Sequence, residues 1–211
     1  MLLPVIPAVL CFSIHELSHG YMAYLLGDDT AKREGRLSLN PLRHIDPIGF
    51  LMLVVLGFGW AKPVNVDMRR FRNPKLGMAA TAFAGPGANI LLAIILMPVY
   101  GLFVACSQHM SEAVVYYGGK LLVTTIYLSL SLAVFNLVPI PPLDGSKVLE
   151  AVLPERIYYQ IMRYERYGMI LLFVVVWTGI LSKPMSAAVD WMFNGLLNIA
   201  QWTFDAAVKI L

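Results

Sequence analysis

Three ionisable side chains stand within five residues of an otherwise apolar stretch: His15, Glu16 and His19. On a helix, residues four apart lie on nearly one face, so His15 and His19 can offer two imidazole nitrogens to one divalent ion. Such a pair suits zinc, and Glu16, next to the first ligand, is placed to take a proton from water at the ion. Two histidines do not complete a zinc site. A third protein ligand must come from elsewhere, with the fourth position left to water. A chance match is the competing explanation, weakened because ionisable groups inside a membrane-length apolar segment are costly to keep without a task.

The third-ligand candidates are His44, His109, Asp46, Asp144 and the acidic residues of the loops. Asp144 follows Pro139-Ile140-Pro141-Pro142-Leu143, whose prolines stop a helix and would fix the carboxylate in place. An ordinary helix N-cap fits that position equally well. His44 is the fallback ligand, although an interfacial or substrate-loop residue is the preferred reading. Cys11, four residues before His15, reads as a buried small residue, and two cysteines build no disulfide framework.

The elements that position these groups belong to a membrane. Of 211 residues, 58% are hydrophobic and 14% charged, where a soluble domain carries about a quarter charged. The mean hydropathy is +0.68. The expected fold is an all-α polytopic bundle of about four to six transmembrane segments with a short re-entrant or β-hairpin element. It forms one membrane-embedded domain over 1–211, with a core over 1–153 and C-terminal helices over 154–211. No signal peptide is expected ahead of it.

The first span is expected over 2–26, a second over 76–106 interrupted near Gly85 and at Pro98, and a third over 120–138. A short helix over 146–153 follows. Residues 154–166 and 167–181 together are read as a tilted span. The run 48–60 is too short to cross ~30 Å of hydrocarbon as a helix and reads as re-entrant. If it does not cross, two basic connections share one side: Lys32, Arg33, Arg36 and Arg43, then Arg69, Arg70, Arg72 and Lys75. The positive-inside rule makes that side cytoplasmic. The second patch reads as juxtamembrane anchoring, with no nucleic-acid partner. Residues 185–211 carry a polar stripe of Asp190, Asn194, Asn198, Gln201 and Asp205, which leaves open whether that helix spans or lies on the surface.

His15-Glu16-Leu17-Ser18-His19, followed by Asn136-Leu137-Val138-Pro139-Ile140-Pro141-Pro142-Leu143-Asp144-Gly145, resembles the site-2 protease family of intramembrane zinc metalloproteases. Ala84-Gly85-Pro86-Gly87-Ala88-Asn89 is similar to a further family segment. Asn40-Pro41-Leu42-Arg43-His44-Ile45-Asp46-Pro47 is similar to its compact bacterial and archaeal branch, without PDZ or CBS domains. The resemblance spans roughly 13–148. It implies one Zn²⁺ per chain held by His15, His19 and Asp144, Glu16 as catalytic base and acid, and Asn89 and Asn136 near the substrate or oxyanion. It further implies a cell-membrane protease whose substrate is a transmembrane protein, cut within or beside its helix in regulated intramembrane proteolysis.

Around Gly59, Trp60 and Lys62 the glycine-rich chain can pair with an unwound substrate as an added strand; a purely structural hairpin is the alternative. A regulatory membrane partner or homo-oligomer is left open. The rival class is a membrane metal transporter or scaffold using the same ligands without chemistry. It would not need Glu16 beside them.

Overall fold

Pro4 precedes helix α1 (Val5–Leu25), whose residues are apolar on nearly every side apart from the motif. A helix of that kind packs among other helices or lipid rather than against water. The computed structural model describes residues 3–56, 59–154, 157 and 167–210. After α1 come α2 (Thr30–Arg33), α3 (Pro47–Leu56), α4 (Pro74–Ala105), α5 (Glu112–Asn136), α6 (Asp144–Val152), α7 (Gly168–Thr178) and α8 (Ser182–Val208). No strand is present among the described residues; the one isolated bridge joins Ile45 to Ala61.

Helix α4 starts where the Asn73 side chain accepts the Leu76 N–H at 3.2 Å, with Pro74 at the first helical position. The helix then continues through Pro86 and Pro98, although the sequence suggested a break at both. Each proline removes one backbone donor without forcing the chain out of helix when neighbours support it. At Pro98 the freed region meets α8, and its carbonyl accepts from Thr203 Oγ1 at 3.4 Å.

Helix α5 begins at Glu112 rather than near 120, so the connection between the second and third expected spans shrinks to a 3-10 turn, Cys106–His109, and two residues. Docking explains the difference: a Cβ on Gly118 would lie 2.7 Å from Phe103 Cζ. That segment is packed on the end of α4 and is therefore helical.

By length and composition, Pro74–His109 and Glu112–Asn136 can each cross a membrane, and the α7–α8 pair makes a third if it counts as one span. Helix α1 has the length, but its histidines and glutamate dilute its hydropathy. Gly179, at φ +66°, ends α7, and α8 leaves at 81°. The expected tilted span over 154–181 is thus a short helix plus a sharp bend, with most of 155–166 outside the described residues.

Helices α4, α5 and α8 share the main core of Ala93, Met97, Ile126, Leu130, Val189 and Ala200. Small residues let the backbones approach: a Cβ on Gly101 would stand 2.2 Å from the Ala200 carbonyl oxygen. The polar stripe of α8 points away from that core.

The chain between α1 and α4 folds back on itself. Asp46 caps α3, its Oδ1 accepting from the Ile48 and Gly49 N–H groups at 3.0 and 2.8 Å. Beyond Gly57 and Phe58, which lie outside the described residues, the Lys62 N–H returns to the His44 carbonyl at 2.8 Å. A Cβ on Gly49 would lie 2.2 Å from the Trp60 carbonyl oxygen, so glycine is needed for this close return. Both ends of the 46–60 segment therefore meet, and the chain leaves on the side where it entered.

Candidate metal centre

His15 and His19, one turn apart on α1, turn both Nε2 atoms to one point, 3.0 Å from each other. Each lies 3.2 Å from Oδ2 of Asp144, and all three residues are buried. Among the described residues they form the single group of three such side chains able to hold a metal ion. Asp144 is the first residue of α6, and its side chain makes no capping bond. The N-cap alternative therefore does not hold here; the carboxylate is turned to the histidines.

What places Asp144 is the turn before it. The Leu143 and Ser146 N–H groups bond the Ile140 and Leu143 carbonyls at 2.9 and 3.1 Å, winding the proline segment tightly under α5. Gly145 sits so close to α5 that a Cβ would fall 2.2 Å from the Leu137 carbonyl oxygen. A larger residue would push α6, and Asp144 with it, away from α1.

The donors fit zinc. His19 Nδ1 lies 2.7 Å from the Thr81 carbonyl oxygen, which can only accept, so Nδ1 carries a proton and the neutral imidazole presents its lone pair at Nε2. That lone pair faces a carboxylate oxygen with no hydrogen-bond donor of its own. A proton on Nε2 would answer one such contact, whereas His15 Nε2, His19 Nε2 and Asp144 Oδ2, mutually 3.0–3.2 Å apart, are met together by one metal ion. The backbone carbonyl behind His19 is the outer partner that usually fixes a zinc-bound imidazole. A tetrahedral ion with bonds of about 2.0–2.1 Å separates its ligand atoms by roughly 3.3 Å, close to the spacing here.

Helix α4 forms the wall of the site through Thr81 and Gly85, one turn apart, with Asn89 a turn further along the same helix. A Cβ on Gly85 would lie 2.4 Å from His19 Nε2 and 2.7 Å from His15 Cε1. Glycine here is a space requirement of the imidazoles. Sequence reasoning quoted Gly85 inside a similar segment but gave it no part in the site, because a requirement for space leaves no chemical mark. Thr81 had no signal at all, since it acts through a carbonyl that every residue has.

Asn89 is fully buried, and neither atom of its amide has a protein partner. Its backbone carbonyl accepts from Ser129 Oγ at 2.8 Å, which ties α4 to α5. Asn136 differs: its amide donates to the Leu132 carbonyl of its own helix at 2.9 Å. Glu16 Oε2 accepts the Val64 N–H at 2.9 Å, so the chain after Trp60 reaches the glutamate directly. Gly59 packs on α3, where a Cβ would be 2.3 Å from the Gly49 carbonyl oxygen, while Trp60 and Lys62 are exposed.

The remaining third-ligand candidates are elsewhere. His44 Nε2 bonds the Ser38 carbonyl at 2.8 Å, Asp46 caps α3, and His109 lies at the far end of α4. Cys11 is buried with its thiol toward the Thr125 carbonyl, as a packing residue. Between α1, α3 and the returning chain, Phe12, Ser13, His44 and Trp60 line a shallow, mostly apolar recess.

Residues 5–181 match the family model described as peptidase family M50. The chain is 39% identical over 187 residues to "Putative zinc metalloprotease YwhC" of Bacillus subtilis, covering 89% of this chain and 83% of that protein. It is 28% identical over 189 residues to "Putative zinc metalloprotease Rip2" of Mycolicibacterium smegmatis, and 27% over 185 residues to the Mycobacterium tuberculosis protein of that name. Each of these alignments covers 86% of this chain and 69% of the relative. No solved structure matches the chain. With a buried His-His-Asp cluster of zinc geometry and a family match across most of its length, the chain belongs to peptidase family M50, the site-2 protease family of zinc metalloproteases.

Proposed function

We propose that the chain is an intramembrane endopeptidase that cuts a membrane protein within or beside a transmembrane helix. It is read as one multi-pass cell-membrane domain over residues 1–211, with its active site opening to the cytoplasm. The observation that carries this is depth. The ligand cluster packs on Gly85, eleven residues into membrane-length α4, or about 16 Å along its axis. A site so far from the helix end acts on what reaches it through the bilayer. The cytoplasmic opening is supported by the return of 46–60 to its side of entry, which keeps both basic connections together.

In this reading His15, His19 and Asp144 hold one Zn²⁺. When bound, the ion supplies the Lewis acidity that makes water a nucleophile at neutral pH and polarises the scissile carbonyl. Glu16 takes the proton of the attacking water and delivers it to the leaving amine, so that the C–N bond breaks as the new acid forms. The Asn89 amide, buried and without a protein partner, is a hydrogen-bond donor for the substrate carbonyl or oxyanion. Asn136, already bonded within α5, takes the lesser share. The chain at Gly59, Trp60 and Lys62 meets an unwound substrate, because a helical substrate hides its carbonyls in its own hydrogen bonds; Lys62, whose backbone is held by His44 and Arg36, contributes its exposed side chain. The role is regulated intramembrane proteolysis; a regulatory membrane partner or a second copy would control access.

The test uses purified full-length chain in detergent with a transmembrane peptide. Glu16→Gln should keep one zinc per chain and lose cleavage by about 10²- to 10⁴-fold, the usual weight of a general base. Equal cleavage by both proteins would refute the role of Glu16, and cleavage confined to soluble peptides would refute the intramembrane reading.

A further inference from the structure

Arg36, which counts in the sequence only as one of four charges in a basic connection, is 5% exposed. Its guanidinium donates to the carbonyls of Arg43 and Lys62, and to that of Pro63 at 3.1 Å. No carboxylate of the described residues pairs with it. A buried cation balanced only by carbonyl dipoles is costly and marks a position where the chain itself must be held. The planar fork suits the task, since it reaches two segments at once: the loop before α3 and the chain that returns after it.

That returning chain is fastened at three further points. The Lys62 N–H meets the His44 carbonyl at 2.8 Å, the Val64 N–H meets Glu16 Oε2 at 2.9 Å, and the Asp67 N–H meets Asp28 Oδ2 at 2.7 Å. Val64 also lies against α1 one turn beyond Glu16: a Cβ on Gly20 would be 3.3 Å from Val64 Cγ1. Arg36 grips the two carbonyls just before Val64 and so sets where its N–H points.

We propose that Arg36 is a positioning residue for Glu16: by clamping Lys62 and Pro63 it aims the Val64 N–H at Oε2 and fixes the carboxylate's orientation. This rests on the protease reading of Glu16. The clamp leaves zinc alone, because none of its contacts touches His15, His19 or Asp144. Through Val64 it acts on the chemical step, because misplacing a reacting group by about 1 Å costs on the order of 100-fold in rate.

The experiment compares the full chain with Arg36→Lys, which keeps the charge but not the fork, and with a variant whose Val64 is replaced by its α-hydroxy acid. The ester has the same shape without the N–H. Zinc content, kcat, KM and hydrogen–deuterium exchange of residues 59–67 are measured. Both variants should keep one zinc per chain and lose kcat by about 10- to 100-fold; the ester should hold KM within about twofold, whereas Arg36→Lys, which also loosens the substrate-facing Lys62, should raise KM as well. Arg36→Lys should also speed exchange in 59–67 without changing α4 and α5, and the combined variant should lose no more kcat than the ester alone. Unchanged kcat in the ester, or kcat losses that multiply in the combination, would overturn the proposal. If the unaltered chain binds zinc and cuts no membrane peptide, the protease reading fails. Exchange unchanged by Arg36→Lys refutes the clamp independently of that outcome.

Discussion

Replacing Gly85 by alanine tests the metal centre without touching a ligand. The added methyl carbon would lie 2.4 Å from Nε2 and 2.5 Å from Cε1 of His19, and 2.7 Å from Cε1 of His15. Such atoms ordinarily rest roughly 3.5–4.0 Å apart, an overlap of about 1 Å. His19 cannot retreat cheaply, because its Nδ1–H is bonded to the Thr81 carbonyl at 2.7 Å. Zinc bonds tolerate only about 0.2 Å of misplacement. Losing even an outer partner costs about 10- to 100-fold in metal affinity. Displacing both imidazoles should therefore weaken zinc by at least about 100-fold, or roughly 2.7 kcal/mol. The assay is chelator competition on the purified chain, with circular dichroism to follow helix content. Gly87→Ala is the matched control, since its methyl would meet only Phe83, with Cε1 at 3.4 Å. On helix propensity alone either change should stabilise by up to about 1 kcal/mol. If Gly85→Ala held zinc within threefold of the unaltered chain, the assignment of the ligand cluster to α1 and α6 against α4 would be wrong.

Asn89→Ala should lower kcat by about 100-fold while the thermal midpoint stays level or rises, because it removes two buried polar atoms that have no partner. Asn136→Ala should cost less activity, and its loss should appear partly as lowered stability, since that amide is bonded within α5. Burial acts to raise the pKa of Asp28. Hydrogen bonds from the Thr30 hydroxyl and the Asp67 and Thr30 N–H groups, with the Arg70 charge, outweigh it and hold the carboxyl below its usual value. A depressed folded value lends stability above the unfolded pKa of about 4, lost as pH falls through the folded value. Thermal midpoints of the unaltered chain and Asp28→Asn should therefore differ at pH 7 and converge as pH drops below about 4. A gap that persists at low pH would show that shape rather than charge is lost.

The chemistry was largely legible in the chain, because metal ligation is written in residue type and spacing. His15, Glu16 and His19 sit within one helical turn, and local periodicity suffices to put the histidines on one face. The all-α character and the span-length helices follow equally from composition. Asp144 was ambiguous, since an aspartate at a helix start serves as cap or ligand equally well. Its pairing across more than a hundred residues is a tertiary fact, set by the winding of the proline segment under α5. The boundaries of α5 and the continuity of α4 also escaped the sequence, because packing against Phe103 and α8 overrides local signals from glycine and proline. Most hidden were groups that act by leaving space or by lending backbone: Gly85, the Thr81 carbonyl and the Val64 N–H. Residue type determines donors and charges, whereas only the folded chain decides which carbonyl faces which imidazole and where a methyl group no longer fits.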